Sequence, residues 1–295
     1  MGQVGIKDFK KDPGVWIEGM ITGFIESSPE NSMKDQANEK AWEEVLLGFS
    51  SGADPLYGNY KEYVGQFHYT PTEIFSLTFP DTPASPEELT VISWVLPQRR
   101  ETKEDNSAQD FYPSDRWVRA RFFGEDFNVA LRKHVVEQLG SMGVQAVAPQ
   151  LSPYWKIEQS PLYGRASRWS ERHAAYAGGL GTFGLCDGLI TSKGKAHRAG
   201  SVVMRLVVPP TPRPYQNHRD YCLYFHDGSC MACAKRCPVG AITEKGHDKV
   251  KCWAHAGGTC ARYVEEMLGI KGYGCGLCQT GVPCESGIPR KIAKG

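Results

Sequence analysis

Nine cysteines crowd the stretch from Cys222 to Cys284, while the 185 residues that open the chain contain none. Their spacing is that of metal ligands. Cys230-Met-Ala-Cys233-Ala-Lys-Arg-Cys237-Pro238 reproduces the end of the iron–sulfur run whose last cysteine serves a second cluster. Thiolates three residues apart on a tight turn can reach neighbouring irons of one cube, and the proline turns the chain away toward the other. Cys275-Gly-Leu-Cys278 followed by Cys284 forms a second group, with Cys252 and Cys260 in between. The usual run opens with a further cysteine where this chain has Asp227, and Cys222, on the loop just before, replaces it. Cross-ligation then assigns one four-iron four-sulfur (4Fe-4S) cluster to Cys222, Cys230, Cys233 and Cys284, and a second to Cys237, Cys252, Cys275 and Cys278. Cys186 and Cys260 are left over, although the sequence alone does not decide between Cys252 and Cys260. Paired Cys-x-x-Cys units also suit zinc, but the Cys-Pro run and the overlap of the two groups fit clusters better. A lone thiol beside an apolar turn, Cys186 is expected to be a small buried side chain.

Ligands this close together need a scaffold, and 295 residues allow one sizeable domain and a small appended one. The concentration of cysteines marks the boundary. Residues 1–215 are expected to form an α/β (α+β) cofactor- and substrate-binding core, and 216–295 a ferredoxin-like domain with two 4Fe-4S clusters. The stiff run Pro209-Pro210-Thr211-Pro212-Arg213-Pro214 would link them. With 41% apolar and 23% charged residues the composition is that of a folded protein. A formal net charge of +1 provides no large field for a polyanion. No stretch approaches the roughly 18 apolar residues of a membrane span, and the N-terminus lacks the layout of a signal peptide. The expected location is the cytoplasm, where reduced thiols favour metal ligation over disulfides.

Within the core, Val91-Ile92-Ser93-Trp94-Val95-Leu96 is a β-branched and aromatic run closed by Pro97, which predicts a buried strand. Phe127, Leu131, Val135 and Leu139 recur at helical spacing up to Gly140, and Val144 to Ala148 predicts another strand. Ser170 stands where it could cap a helix Glu171–Ala177 that stops at Gly178-Gly179. Leu189–Thr191 and Ser201–Val208 predict strands. Ala41, Trp42, Val45, Leu46 and Phe49 suggest an amphipathic helix, and the polar stretch Glu101–Asp110 a mobile loop. Lys193, Lys195, His197 and Arg198 form a basic run that would ordinarily be a charged surface loop, with phosphate or nucleotide-loop binding as the functional alternative.

The block Glu171-Arg172-His-Ala-Ala-Tyr-Ala-Gly178-Gly179-Leu180-Gly181-Thr-Phe-Gly184, with Gly188-Leu-Ile-Thr and Gly194 to Ser201 after it, resembles the cofactor-binding core of epoxyqueuosine reductases and reductive dehalogenases. The order of strand, helix, Gly-Leu-Gly block and double-cluster region matches that superfamily over roughly residues 88–290. The resemblance implies a cobalamin-dependent reductase, with cobalamin seated near Gly179, Gly181, Gly184, His197 and Ser201. Its electrons would come through the clusters from a donor such as ferredoxin or flavodoxin. Glycine at such a turn lets backbone approach a large cofactor edge. Epoxyqueuosine reductases have an aspartate before the Glu-Arg pair, thought to donate a proton, and Arg165 stands there in this chain. Reductive dehalogenases use a tyrosine with a basic residue nearby, which makes Tyr163 with Arg165 the candidate catalytic pair. The helical-repeat domain with which long epoxyqueuosine reductases hold transfer RNA finds no counterpart before Gly295, and no twin-arginine export signal is present. A small-molecule substrate is therefore expected ahead of transfer RNA. The competing expectations are an electron carrier without a cofactor in its core, and a core that binds flavin.

Overall fold

The computed structural model describes residues 3–161 and 164–293. The chain begins with helices α1 (Gln3–Lys11) and α2 (Pro13–Ser27), then strand β1 (Leu46–Ser51), helices α3 (Pro55–Tyr63) and α4 (Pro71–Thr78), and strand β2 (Thr90–Pro97). Helices α5 (Arg100–Ser107) and α6 (Asp115–Ser141) lead to β3 (Ala146–Val147) and a hairpin of β4 (Ile157–Ser160) and β5 (Gly164–Ser167). Helix α7 (Glu171–Ala177), the pair β6 (Gly181–Phe183) and β7 (Leu189–Thr191), and β8 (His197–Met204) complete the first two thirds.

The main sheet has the order β1-β2-β8-β3, and every neighbouring pair is antiparallel. β2 is buried along its whole length, and alternation of its side chains feeds two cores. Ile92, Trp94 and Leu96 pack with Ile17, Trp42 and Phe127 on one face. Val91 and Val95 pack with Tyr57, Phe75, Trp169 and Val203 on the other. The long helix α6 lies on the first face. There Asn128 accepts a hydrogen bond from Trp94 Nε1 at 2.8 Å and donates to Ala199 O at 3.1 Å, tying α6 to both central strands.

Two local expectations are corrected. The residues Ala41 to Phe49 do not form a helix: Leu46 begins β1, whose Leu46–Ser51 pair residue by residue with Thr90–Val95. The apolar run therefore follows the edge of a sheet, where cross-strand pairing overrides the weak helical spacing. The polar stretch after Glu101 is not a loop but helix α5, whose Thr102 and Asn106 are buried. Asn106 bonds Thr280 Oγ1 at 3.0 Å, Ser114 N at 3.1 Å and the carbonyl of Cys275 at 3.5 Å, so tertiary contacts supply what its composition lacks. The proline run is extended and packs on the core, where Thr211 and Phe49 exchange hydrogen bonds of 2.9 Å.

Beyond it lie short helices α8 (Leu223–Asp227) and α9 (Ala232–Lys235), a two-residue ladder of β9 (Ile242–Thr243) and β10 (Gly246–His247), and helices α10 (Lys249–Trp253), α11 (Cys260–Leu268) and α12 (Arg290–Ala293). A six-residue π-helical stretch, Ala254–Thr259, joins α10 to α11. No described helix is long and apolar enough to cross a membrane.

Candidate metal and cofactor site

Cys222 caps α8, Cys233 lies in α9, and Cys230 and Cys284 come from the flanking turns. All four line one small cavity with Gly184, Ile190 and Lys195. This is the ligand set that spacing assigned to the first cluster, drawn together from segments up to 62 residues apart. Four soft thiolates around one void suit an iron–sulfur cluster.

In the second set, Cys260 is drawn beside Cys275. The ligand atoms of His255, Cys260 and Cys275 lie within 4.8 Å of one another, and Cys260 Sγ is 3.3 Å from His255 Nε2. Cys252, the residue expected beside Cys275, stands next to His247 and borders a larger cavity. The intervening π-helical turn adds a residue to the helical repeat and presents Cys260 toward Cys275, a device common near functional sites. Cys237 Sγ accepts the N–H of Ala241 at 3.2 Å. Sequence spacing gave no reason to single out His255.

Cys186 is buried, as expected, but its surroundings were not foreseen. Its thiol interacts with Cys233 and Cys278, one from each expected ligand set, and receives Lys195 Nζ at 3.3 Å. The Thr191–Gly194 turn after β7 reverses the chain and carries Lys195 back toward Cys186.

Above the cysteines are two cavities of about 630 and 780 Å³, which share Trp155, Ser167, Ser170 and Arg172 in their walls. Each lies within the size range of small-molecule sites. The first is polar, lined by Glu125, Glu171, Lys195, His197 and Arg198. The second is rimmed by rings, among them Tyr60, Tyr176, Phe183 and Trp253.

Beneath the first cavity is a charged network. The fully buried Arg132 contacts Glu125 Oε1 at 3.1 Å, Glu171 Oε1 at 3.3 Å and Ala199 O at 3.1 Å, and Arg198 reaches Glu125 Oε2 at 3.2 Å. Burial pushes the Glu171 carboxyl up to about 6, against the opposing pull of Arg132 and the hydrogen bond from Ser201. Burial of charge is tolerated only where partners surround it.

Among the residues expected at the cofactor, Arg165 lines the second cavity with its guanidinium 4.6 Å from the Trp253 ring centre, whereas Tyr163 lies outside the described residues. Gly184 lines both the second cavity and the cysteine cavity. Gly181 sits in β6 without a positive φ, and a Cβ there would lie 2.2 Å from Ile190 O. The backbone that approaches it is the chain's own. At Gly179, with φ +79°, a Cβ would lie 2.8 Å from Pro212 O, so the glycine admits the proline run. Ser201 is buried in β8 between Trp169 Nε1 and Glu171. His197 lines the first cavity. Its Nε2 faces Leu189 O at 2.8 Å, which fixes that nitrogen as the donor and leaves Nδ1 a buried acceptor with no partner among the described residues. Lys193 pairs with Glu44, while Lys195 is buried, so the basic run is not a uniform surface loop.

Three imidazoles here are held neutral, which has a measurable consequence. Burial drops His68 to about 4, and its Nε2 accepts the Ser170 N–H at 3.2 Å. A base with a depressed folded pKa contributes stability above its unfolded value near 6.5 and loses it as pH falls toward the folded value. Stability should therefore decline between pH 6.5 and 4, with His68 accounting for about 3 kcal/mol of the loss. Urea denaturation of His68→Gln at pH 7 and pH 4 should show a drop smaller by that order. An equal drop in both proteins would mean that His68 is solvated. His173 and His197, also lowered by burial, retain their own share.

No protein-family model matches the chain. Over 171 residues it is 29% identical to the epoxyqueuosine reductase of Bacillus anthracis and 28% to that of Bacillus cereus, matches that cover 56% of this chain and 40% of each relative. The match thus spans about two fifths of the length of these curated relatives. The solved structure of a selenomethionine-labelled epoxyqueuosine reductase superposes with a TM-score of 0.50 at 14% identity, covering 92% of this chain and 66% of that one. A reductive dehalogenase structure described for B12-dependent dehalogenation gives a TM-score of 0.47 at 17% identity over 84% of this chain and 31% of its own. Over its matched part the chain is similar in sequence to the epoxyqueuosine reductases, and over most of its length it shares the fold of a solved one.

Proposed function

We propose that the chain is an iron–sulfur reductase whose core seats a cobalamin, with two 4Fe-4S clusters supplying electrons. One observation carries the reading: the cavity ringed by Cys222, Cys230, Cys233 and Cys284 shares Lys195 with the polar cavity and Gly184 with the ring-lined one. A cluster held there would be separated from either cavity by a single residue's thickness. The second cluster belongs to Cys237, Cys275 and Cys278, with Cys252 as the fourth ligand by resemblance and Cys260 by proximity to Cys275.

The two adjoining cavities fit a cofactor larger than either one would hold, with aromatic walls for a flat macrocycle and the unpartnered Nδ1 of His197 as a buried acceptor for a polar substituent. Cobalamin, when bound, would supply the low-potential reducing chemistry. The protein's own contribution is positional. Arg165 and Arg172 present fixed positive charge in the second cavity, Glu171 beside the first carries a carboxyl poised near neutrality, and the rings exclude water. Residues 1–215 would form the cofactor core and 216–295 the double-cluster domain, with electrons arriving from a ferredoxin or flavodoxin.

The charge of +1 favours a small-molecule substrate, since transfer RNA affinity rests on an extended basic surface. The name of the curated relatives favours epoxyqueuosine instead. Anaerobic reconstitution with iron, sulfide and cobalamin, followed by gel filtration, should give one peak that absorbs as both corrinoid and cluster. Retention of flavin, or of neither cofactor, would remove the cobalamin reading. Restoration of queuosine in a bacterial strain lacking its epoxyqueuosine reductase would move the substrate to transfer RNA.

A further inference from the structure

Lys195 is 3% exposed, yet it belongs to a run that composition would place on the surface. The Thr191–Gly194 turn puts it there: Gly194, with φ +86°, packs so closely on Glu285 that a Cβ would lie 2.0 Å from that carbonyl. The next residue then donates its N–H to Cys284 O at 2.9 Å. The side chain runs inward to place Nζ 3.3 Å from Cys186 Sγ, and it lines both the four-cysteine cavity and the polar cavity above. The groups that act most strongly on this ammonium are Cys186, Cys284, Cys233 and Cys278.

A buried ammonium is costly unless negative charge compensates it. Here the nearest groups able to supply that charge are the cysteine thiolates and the cluster they would hold. A 4Fe-4S cluster on four thiolates is net negative and gains another negative charge when reduced. A fixed cation beside it stabilises the reduced form more than the oxidised one and so raises the potential, which depends on net charge and on hydrogen bonds to sulfur. Resting on the iron–sulfur reading above, we propose that Lys195, steadied by Cys186, is the residue that raises the reduction potential of the cluster held by Cys222, Cys230, Cys233 and Cys284. It thereby makes that cluster the electron acceptor of the pair, in the wall shared with the polar cavity.

The test is a potentiometric titration of anaerobically reconstituted protein, followed by electron paramagnetic resonance. Lys195→Met and Lys195→Gln should load iron as the wild type does, and at a fixed potential their reduced-to-oxidised ratio should fall about tenfold, a shift of about 59 mV for one electron. The shift should fall on the signal that is lost in Cys233→Ser, and Lys195→Arg, which keeps the charge, should recover most of it. An unchanged or higher midpoint in a loaded neutral variant, or a shift confined to the other cluster, would overturn the proposal. Wild-type protein without iron would instead defeat the functional reading on which it rests.

Discussion

Replacing Cys233 by serine should remove about four of roughly eight irons per chain, since each 4Fe-4S cluster takes four thiolates and the remaining ligand set is untouched. Iron and sulfide analysis of protein prepared without oxygen measures this directly. Cys233 is chosen because it is buried and lines the four-cysteine cavity from α9. Cys186→Ser should leave the iron content unchanged although its thiol interacts with Cys233 and Cys278, because each ligand set is complete without it. The same assay assigns the fourth ligand of the second cluster: loss of iron in Cys252→Ala and not in Cys260→Ala supports the residue matched by resemblance, and the reverse supports the one drawn to Cys275. Stoichiometric zinc in place of iron would end the two-cluster reading.

Arg132→Met should cost about 3–5 kcal/mol, the range for breaking a buried ion pair by removing one partner. The side chain is wholly buried, and the methionine would leave Glu125 and Glu171 facing each other under the first cavity without the cation between them. Arg198 would still hold Glu125, but Glu171 would keep only the hydroxyl of Ser201. Adding Glu171→Gln should therefore restore part of the loss, a coupling that separate effects of the two substitutions would not produce. Urea denaturation at pH 7.5, above the raised value of Glu171, gives the measurement. A loss below about 1 kcal/mol would mean that water screens the network as it does a surface pair.

The four-cysteine cavity was legible in part: Cys230 and Cys233 stand three residues apart in a spacing that suits one cluster, whereas Cys222 and Cys284 reach the same cavity only through the fold. The strand from Thr90 to Pro97 was plain, since a β-branched run buried on both faces leaves little alternative. The amphipathic residues before Phe49 misled because periodicity over so short a segment does not separate a helix from an edge strand, and pairing with β2 settled the matter. Helix α5 was missed because its stability lies in bonds from Asn106 to residues more than 160 positions away.

The sequence by itself determined that this protein gathers thiolates at its C-terminal end and that a βαβ-like succession precedes them. Tertiary structure alone decided three things. The β6–β7 connection and the Thr191–Gly194 turn bring Cys186 and Lys195 together among those cysteines, the π-helical turn presents Cys260 and His255 to Cys275, and Ile190 and Pro212 occupy the space beside Gly181 and Gly179. Spacing reports only what lies within a turn or two of the chain. Burial of an ammonium or close packing against a glycine depends on segments that meet only after the sheet has formed.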